Sequence, residues 1–314
     1  LRALRWLKKN QAANGSWPKQ KVAMTSLALL AFLAHGETPA SEEFGTTVEG
    51  GLKWLLENQA EDGTFKDRDG ANYHIPMAGY ALSEGYAMTM IPDLKYAAEK
   101  TIAYVVKGQH PSGGWDYGCK QSARDDTSVM GWCAQSLKAA KMAGLEVEGL
   151  ENACKKSVEG FKKNSKGNYD LCGFGYTGPG QGGLTPVGAL CMQLHGAGGS
   201  DEVSGALKLL DTEKWTFKLV DPPIGKTAQY YFYYATQAKF HAGGESWNKW
   251  NKQFSPELVK GQHVITKDKS GYCDHKGQPR DIGYWDQYGG HGNNENPVFS
   301  TLLGLLQLEV YYRY

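Results

Sequence analysis

Glutamine stands at positions 11, 59 and 109, each time at the end of an amphipathic stretch, four residues before a glycine that precedes an aromatic residue by two. The separations are 48 and 50 residues, and self-similarity at such a period marks a chain built by copying one supersecondary unit. In the first copy Leu1, Leu4, Trp6 and Leu7 alternate with Arg2, Arg5, Lys8 and Lys9, the one-faced stripe of a surface helix. The run Gln11 to Trp17 stops it, and residues 25–33 are apolar on nearly every side, as in a helix buried all round. The second copy pairs a helix ending at Gln59 with an inner helix over residues 76–88; the third pairs one ending at Gln109 with one headed by Asp125-Asp126-Thr127.

Later copies drift but keep the plan. Residues 150–164 form an outer helix, 173–176 a degenerate turn and 185–192 an inner helix; residues 200–210 pair with 227–235. The last copy has an outer helix ending near Gln262, a long loop, and an inner helix over 297–308. Threonine at 25, 127, 185, 227 and 301 heads five of the six inner helices. Alternating amphipathic and fully apolar helices pack most economically as an inner apolar ring wrapped by an outer one. The expected fold is an all-α, α/α toroid of six helical hairpins in one domain over 1–314, divided at about 1–40, 41–92, 93–145, 146–198, 199–242 and 243–314.

Composition narrows the function. Lys+Arg 34 against Asp+Glu 33 leaves a formal charge of +1, so no field of one sign draws nucleic acid or an anionic membrane. No apolar run approaches the roughly 18 residues of a membrane span. Six cysteines (119, 133, 154, 172, 191 and 273) are too sparse for a disulfide scaffold and read as free thiols. The chain opens on a helical pattern at Leu1 without an initiator methionine, so it is expected to belong to a longer protein, in a secreted or periplasmic setting.

The blocks ending Gln11…Gly15-Ser-Trp17, Gln59…Gly63-Thr-Phe65 and Gln109…Gly113-Gly-Trp115 resemble the glutamine–tryptophan repeat of squalene and terpene cyclases, whose superfamily includes prenyltransferase β-subunits and complement-like thioester domains. The resemblance implies this toroid, with each glutamine tying a helix end to the next turn and each aromatic packed beside it. Class II cyclases carry Asp-x-Asp-Asp-Thr at the head of an inner helix. Here residues 123–127 read Ala-Arg-Asp-Asp-Thr, so the resemblance implies Asp125 as proton donor and Asp126 as its support, with Ala123 in place of the first acid. Read without the resemblance, Asp before Thr127-Ser128 and an apolar run is a helix N-cap. Arg124, beside the pair, could hold both acids ionised.

Other chemistries lack their residues. The Asp-x-Cys and His zinc ligands of prenyltransferases are missing from the later inner helices, the thioester motif is missing at Cys172, and no phosphate-binding or hydrolase motif occurs. No metal and no cofactor is expected. The inner-helix N-termini should converge at one mouth with His74, Trp115, Arg124, Tyr230, Tyr231, Tyr234, Trp285 and His291 as ligand contacts, for a small molecule (isoprenoid, glycan or peptide) or a protein partner. The favoured expectation is a non-catalytic ligand-binding or interaction module; the alternative is a proton-initiated isoprenoid cyclase acting through Asp125.

Overall fold

The structure, a computed structural model, describes residues 1–66, 73–122, 124–216, 228–286 and 297–313. Its helices run in outer and inner pairs: α1 (Arg2–Lys9) with α2 (Lys21–Ala34), α3 (Gly45–Asn58) with α4 (His74–Thr89), and α5 (Pro92–Lys107) with α6 (Thr127–Met142). Next, α7 (Leu150–Asn164) is followed by strands β1 (Ser165–Gly167) and β2 (Cys172–Phe174) and by α8 (Thr185–Leu194), and α9 (Asp201–Leu210) pairs with α10 (Ala228–Ala242). The last outer helix, α11 (Gly244–Lys260), connects through β3 (His263–Ile265), the single turn α12 (Lys267–Ser270) and β4 (Ile282–Tyr284) to the inner helix α13 (Val298–Leu308) and the short α14 (Val310–Arg313).

The inner helices touch in sequence, α2 on α4, α4 on α6, α6 on α8, α8 on α10, α10 on α13, and α13 again on α2, which closes the ring. The fold is an all-α toroid. Burial follows the pattern that the sequence carries: α2 is buried at every position from Val22 to Ala34, whereas α1 buries only Ala3, Leu4, Trp6 and Leu7. Because each inner helix follows a turn at the end of an outer one, all inner N-termini lie at the same mouth.

The repeat residues explain how adjacent pairs are joined. Gln11 Nε2 donates to the Gly15 carbonyl of its own turn at 2.8 Å and to Thr47 O of the next outer helix at 2.9 Å. Gln109 does the same with Gly113 O (2.9 Å) and Ala153 O (3.0 Å), and Gln59 reaches Ala97 O at 2.7 Å. The tie thus runs to the next outer helix. The indole N–H groups of Trp17, Trp115 and Trp285 point back, donating to Leu7, Val105 and Leu258 carbonyls at 2.9, 2.8 and 2.8 Å. Gly113 sits at φ +93°, and a Cβ there would meet Lys156 O at 1.9 Å, so only glycine allows the turn this close to the neighbouring helix.

The degenerate turn expected at 173–176 and the long loop expected after Gln262 each contain short strands. β1 pairs antiparallel with β2, and β3 with β4. Helix α7 ends on Asn164 rather than the tie-glutamine, and there backbone groups find partners in each other. The second ladder belongs to a clasp that seals the ring: Tyr272 Oη donates to Glu43 Oε1 at 3.0 Å, Lys9 donates to Ser270 O, and Arg5 pairs with Glu43 at 2.7 Å. The barrel interior below the mouth is filled by Trp132, Tyr233, Tyr234 and Gln135, all buried. Tyr233 Oη donates to Gln135 Oε1 at 3.2 Å, while Gln135 Nε2 donates to Tyr234 Oη at 2.9 Å.

Trp115 is fully buried and anchors its turn. Replacing it by alanine removes a large core side chain and an indole bond, so Trp115→Ala should cost about 3–5 kcal/mol, read from urea denaturation. A near-neutral result would remove the tryptophan from the packing role.

Candidate functional site

Helix α6 begins with Asp126 in extended conformation, φ −105° and ψ 107°, its Oδ1 accepting from Ser128 N at 3.0 Å, Val129 N at 3.3 Å and Ser128 Oγ at 2.6 Å. This is an N-cap, and the carboxylate also complements the helix dipole. Its other oxygen, Oδ2, meets the half-exposed Arg124 guanidinium at 3.2 Å. Ala123, which stands where the first acid of the cyclase motif would be, lies outside the described residues.

Asp125 is held differently. Its Oδ1 accepts from Ser112 Oγ at 2.8 Å and lies 2.8 Å from His110 Nδ1; its Oδ2 accepts from Lys163 Nζ at 3.1 Å. Burial alone would raise this carboxyl, but the hydrogen bonds from His110, Ser112 and Lys163 outweigh it and hold Asp125 below the ordinary carboxylate value. Its main chain is fixed too, since Asn164 Nδ2 donates to Asp125 O at 3.1 Å. Both acids are buried, while Arg124 and Lys163, the cations that pair with them, are half exposed.

Around the pair lies a belt of phenols. Tyr73 Oη donates to Gln20 Oε1 at 2.6 Å, and its ring meets that of Tyr117 edge-on at 6.3 Å. Tyr117 Oη lies 3.1 Å from Tyr176 Oη and 3.3 Å from Ser128 Oγ, and Tyr230 Oη donates to Ser128 O at 3.1 Å. The Arg124 guanidinium sits 5.7 Å over the Tyr176 ring. Burial pushes the Tyr73, Tyr176 and Tyr230 hydroxyls up, so all three stay protonated. Aromatic faces with hydroxyl edges, over a floor of two carboxylates, suit a polyhydroxylated ligand.

Of the expected contacts, the structure brings Asp125, Asp126, Arg124 and Tyr230 together at the mouth. His74 begins α4 and is buried. Trp115 and Trp285 are placed in the core by their indole bonds, Tyr231 is buried edge-on against Phe232, and Tyr234 belongs to the filled interior, so these four are packing residues rather than surface contacts. His291 lies outside the described residues. His110 and Ser112 lie inside the Gln109–Trp115 block at positions that the repeat does not fix, and Lys163, Tyr73, Tyr117 and Tyr176 come from turns and helix ends that carry no motif. Among the described residues no three His, Cys, Asp or Glu side chains gather as a metal site, and no helix is long and apolar enough to cross a membrane.

No protein-family model matches the sequence, nor does any curated protein. Solved structures match its fold. An inactive α-1,6-mannanase variant of Salegentibacter sp., in which two adjacent aspartates are replaced by asparagine, in complex with α-1,6-mannotriose, has a TM-score of 0.64 at 12% identity over 99% of this chain and 97% of that one. A glycoside hydrolase family 76 mannosidase of Bacteroides thetaiotaomicron gives 0.62 at 11% identity, covering 99% and 96%. Cellobiose 2-epimerase of Bacillus thermoamylovorans gives 0.64 at 10% identity, covering 97% and 95%. At these identities the likeness establishes the α/α toroid.

The functional expectations are corrected. The similar structures are carbohydrate-active enzymes, which overturns both the non-catalytic module and the isoprenoid cyclase. The site gives the physical reason against the cyclase: protonating an alkene requires an acid kept protonated, whereas the donors around Asp125 favour its ionised form. The α/α toroid that the cyclase resemblance implies is the fold that these solved structures share.

Asp126→Ala removes the cap and should cost on the order of 1 kcal/mol in chemical denaturation; an unchanged midpoint would exclude the capping role. Asp125 has its folded value depressed, so its contribution to stability is present above the ordinary 3.8 and is lost as pH falls through the lower folded value. Asp125→Asn should therefore flatten the acid limb of the stability curve below about pH 4, measured by thermal unfolding across pH.

Proposed function

We propose that this toroid is a carbohydrate-active enzyme of the glycoside-hydrolase kind, binding an oligosaccharide across the tyrosine belt and cleaving a glycosidic bond with the Asp125–Asp126 pair. The observation that carries the reading is the pair of adjacent aspartates at the head of an inner helix, beneath Tyr117, Tyr176 and Tyr230, in a fold whose solved examples include a mannanase inactive when two adjacent aspartates are replaced.

Two-carboxyl cleavage asks one group to stay ionised and the other to deliver a proton to the leaving oxygen. Asp125, with donors on both oxygens, fits the ionised member. Asp126 keeps Oδ1 for the cap, which leaves Oδ2, paired with the half-exposed Arg124, as the oxygen to meet substrate. Phenols of the belt would take sugar hydroxyls, and their rings the apolar sugar faces.

The test is a panel of α-1,6-mannotriose, α-1,6-mannotetraose, α-glucan oligosaccharides and cellobiose, with products followed by reducing-end release and by NMR for epimerisation. Hydrolysis by the wild type, reduced at least roughly 100-fold in Asp125→Asn and Asp126→Asn, is expected. Full activity in both variants would remove the pair from the chemistry, and epimerisation without cleavage would replace the hydrolase reading.

A further inference from the structure

The three faithful turns share one backbone. Ala12 N donates to Ser16 O at 2.8 Å, Ala60 N to Thr64 O at 2.8 Å and His110 N to Gly114 O at 2.9 Å. The return bonds match as well, Gly15 N to Ala12 O (2.8 Å), Gly63 N to Ala60 O (3.1 Å) and Gly113 N to His110 O (2.9 Å). The side chains on that backbone differ. After the glutamine come Ala12, Ala60 and His110; two residues later come Asn14, Asp62 and Ser112; before the aromatic come Ser16, Thr64 and Gly114.

In the first two turns these side chains hold the turn itself. Asn14 Oδ1 accepts from N and Oγ of Ser16 at 3.2 and 2.8 Å, and Asp62 Oδ1 from N and Oγ1 of Thr64 at 3.0 and 2.6 Å. In the third turn all three replacements meet Asp125. His110 Nδ1 and Ser112 Oγ each lie 2.8 Å from Oδ1, and a Cβ on Gly114 would come within 2.4 Å of that same oxygen. The toroid needs none of this, because the sister turns hold the same ties without it.

We infer that the third turn is the repeat's backbone refitted as a cradle for one carboxylate, and that His110 is the positioning residue that fixes Asp125 at the floor of the mouth. The inference rests on the proposed function, in which Asp125 is the ionised member of the pair. His110 is locked from behind: Nε2 lies 2.9 Å from Lys120 O. A carbonyl oxygen only accepts, so Nε2 carries a hydrogen, and the proton in the Nδ1–Oδ1 contact is an additional one shared by the pair. The other charged groups facing this pair are Lys163 from the end of α7, 3.1 Å from Asp125 Oδ2, and Asp116, 3.9 Å from His110 Nε2; the Arg124–Asp126 ion pair flanks Asp125 in the chain.

The refit supplies its own control, since His110→Ala installs the residue that both sister turns carry and should fold. His110→Asn offers Asp125 an amide donor without the link to Lys120. Aspartate carboxyl titration by carbon-13 NMR should show Asp125 protonating at higher pH in His110→Ala than in the wild type, and His110→Asn moving back toward the wild type. On the glycan that the wild type cleaves, kcat should fall at least about 10-fold in His110→Ala with KM unchanged, and His110→Asn should recover part of it. An Asp125 titration that is the same in wild type and His110→Ala overturns the inference, as does a loss of stability with kcat intact. The titration needs no substrate, so a wild type that cleaves no glycan sinks the proposed reaction while the cradle stands or falls on the carboxyl alone.

Discussion

The toroid depends on a side-chain amide that bridges repeats. An outer helix leaves its last carbonyls without partners inside the helix, and the turn that follows adds more. The glutamine at the helix end takes one carbonyl of its own turn and one near the start of the next outer helix, with a single Nε2 group in the first and third repeats. In the second repeat the amide reaches Ala97 O and Thr101 Oγ1 instead, and Thr101 Oγ1 passes the bond on to Gly63 O at 3.0 Å. The bond therefore fixes both the shape of a turn and the distance to its neighbour. Apolar packing alone would leave the rotation between repeats loosely set; directional bonds at this spacing set the step by which the ring advances.

That constraint has a consequence for the site. Once the turn backbone is fixed by the glutamine, the glycine and the aromatic, its remaining positions are free to change without loss of the ring. Asn14 and Asp62 satisfy their own turns, and the third turn replaces that local arrangement by side chains aimed at Asp125. Helix α6 contributes the rest: its N-terminus holds Asp126 through backbone N–H groups, so the carboxylate is positioned by the helix itself. A rigid turn and a helix end meet at adjacent residues, which is how two acids come to be fixed side by side.

Much of the architecture is legible in the sequence because it rests on period and burial. The apolar run from residue 25 to 33 and the glutamine spacing place helices and turns to within a few residues. The two strand ladders were not legible, since each is three residues a side, too short to show an alternating pattern. At the site, Asp126 was readable as a cap from the residues that follow it. The partners of Asp125 were harder: Lys163 and Asn164 lie 38 and 39 residues away, at a helix end with no motif. His110 was readable in principle, because alanine fills its position in both sister turns. The aromatic run at 230–234 pointed to the mouth, but a helix that faces a closed ring buries most of its sides, and only Tyr230 keeps partial exposure among the three tyrosines expected there.

The charge arrangement decides what this mouth can do. Two carboxylates at adjacent positions repel, and burial would ordinarily leave one of them protonated. Here the repulsion is met from three directions, by the Lys163 ammonium, the Arg124 guanidinium and the donors of His110 and Ser112. The counter-charges are unequal in kind. His110 is buried and locked to Lys120 O, whereas Arg124 and Lys163 are half exposed and lie on the solvent side of the acids. A ligand entering the mouth meets two half-exposed cations and a belt of phenols before it meets the acids. Arg124 pairs with Asp126 and Lys163 with Asp125, so each acid draws its cation from a different part of the chain. The two adjacent acids are therefore held unequally, one against a buried histidine and the other by the helix end and a half-exposed arginine.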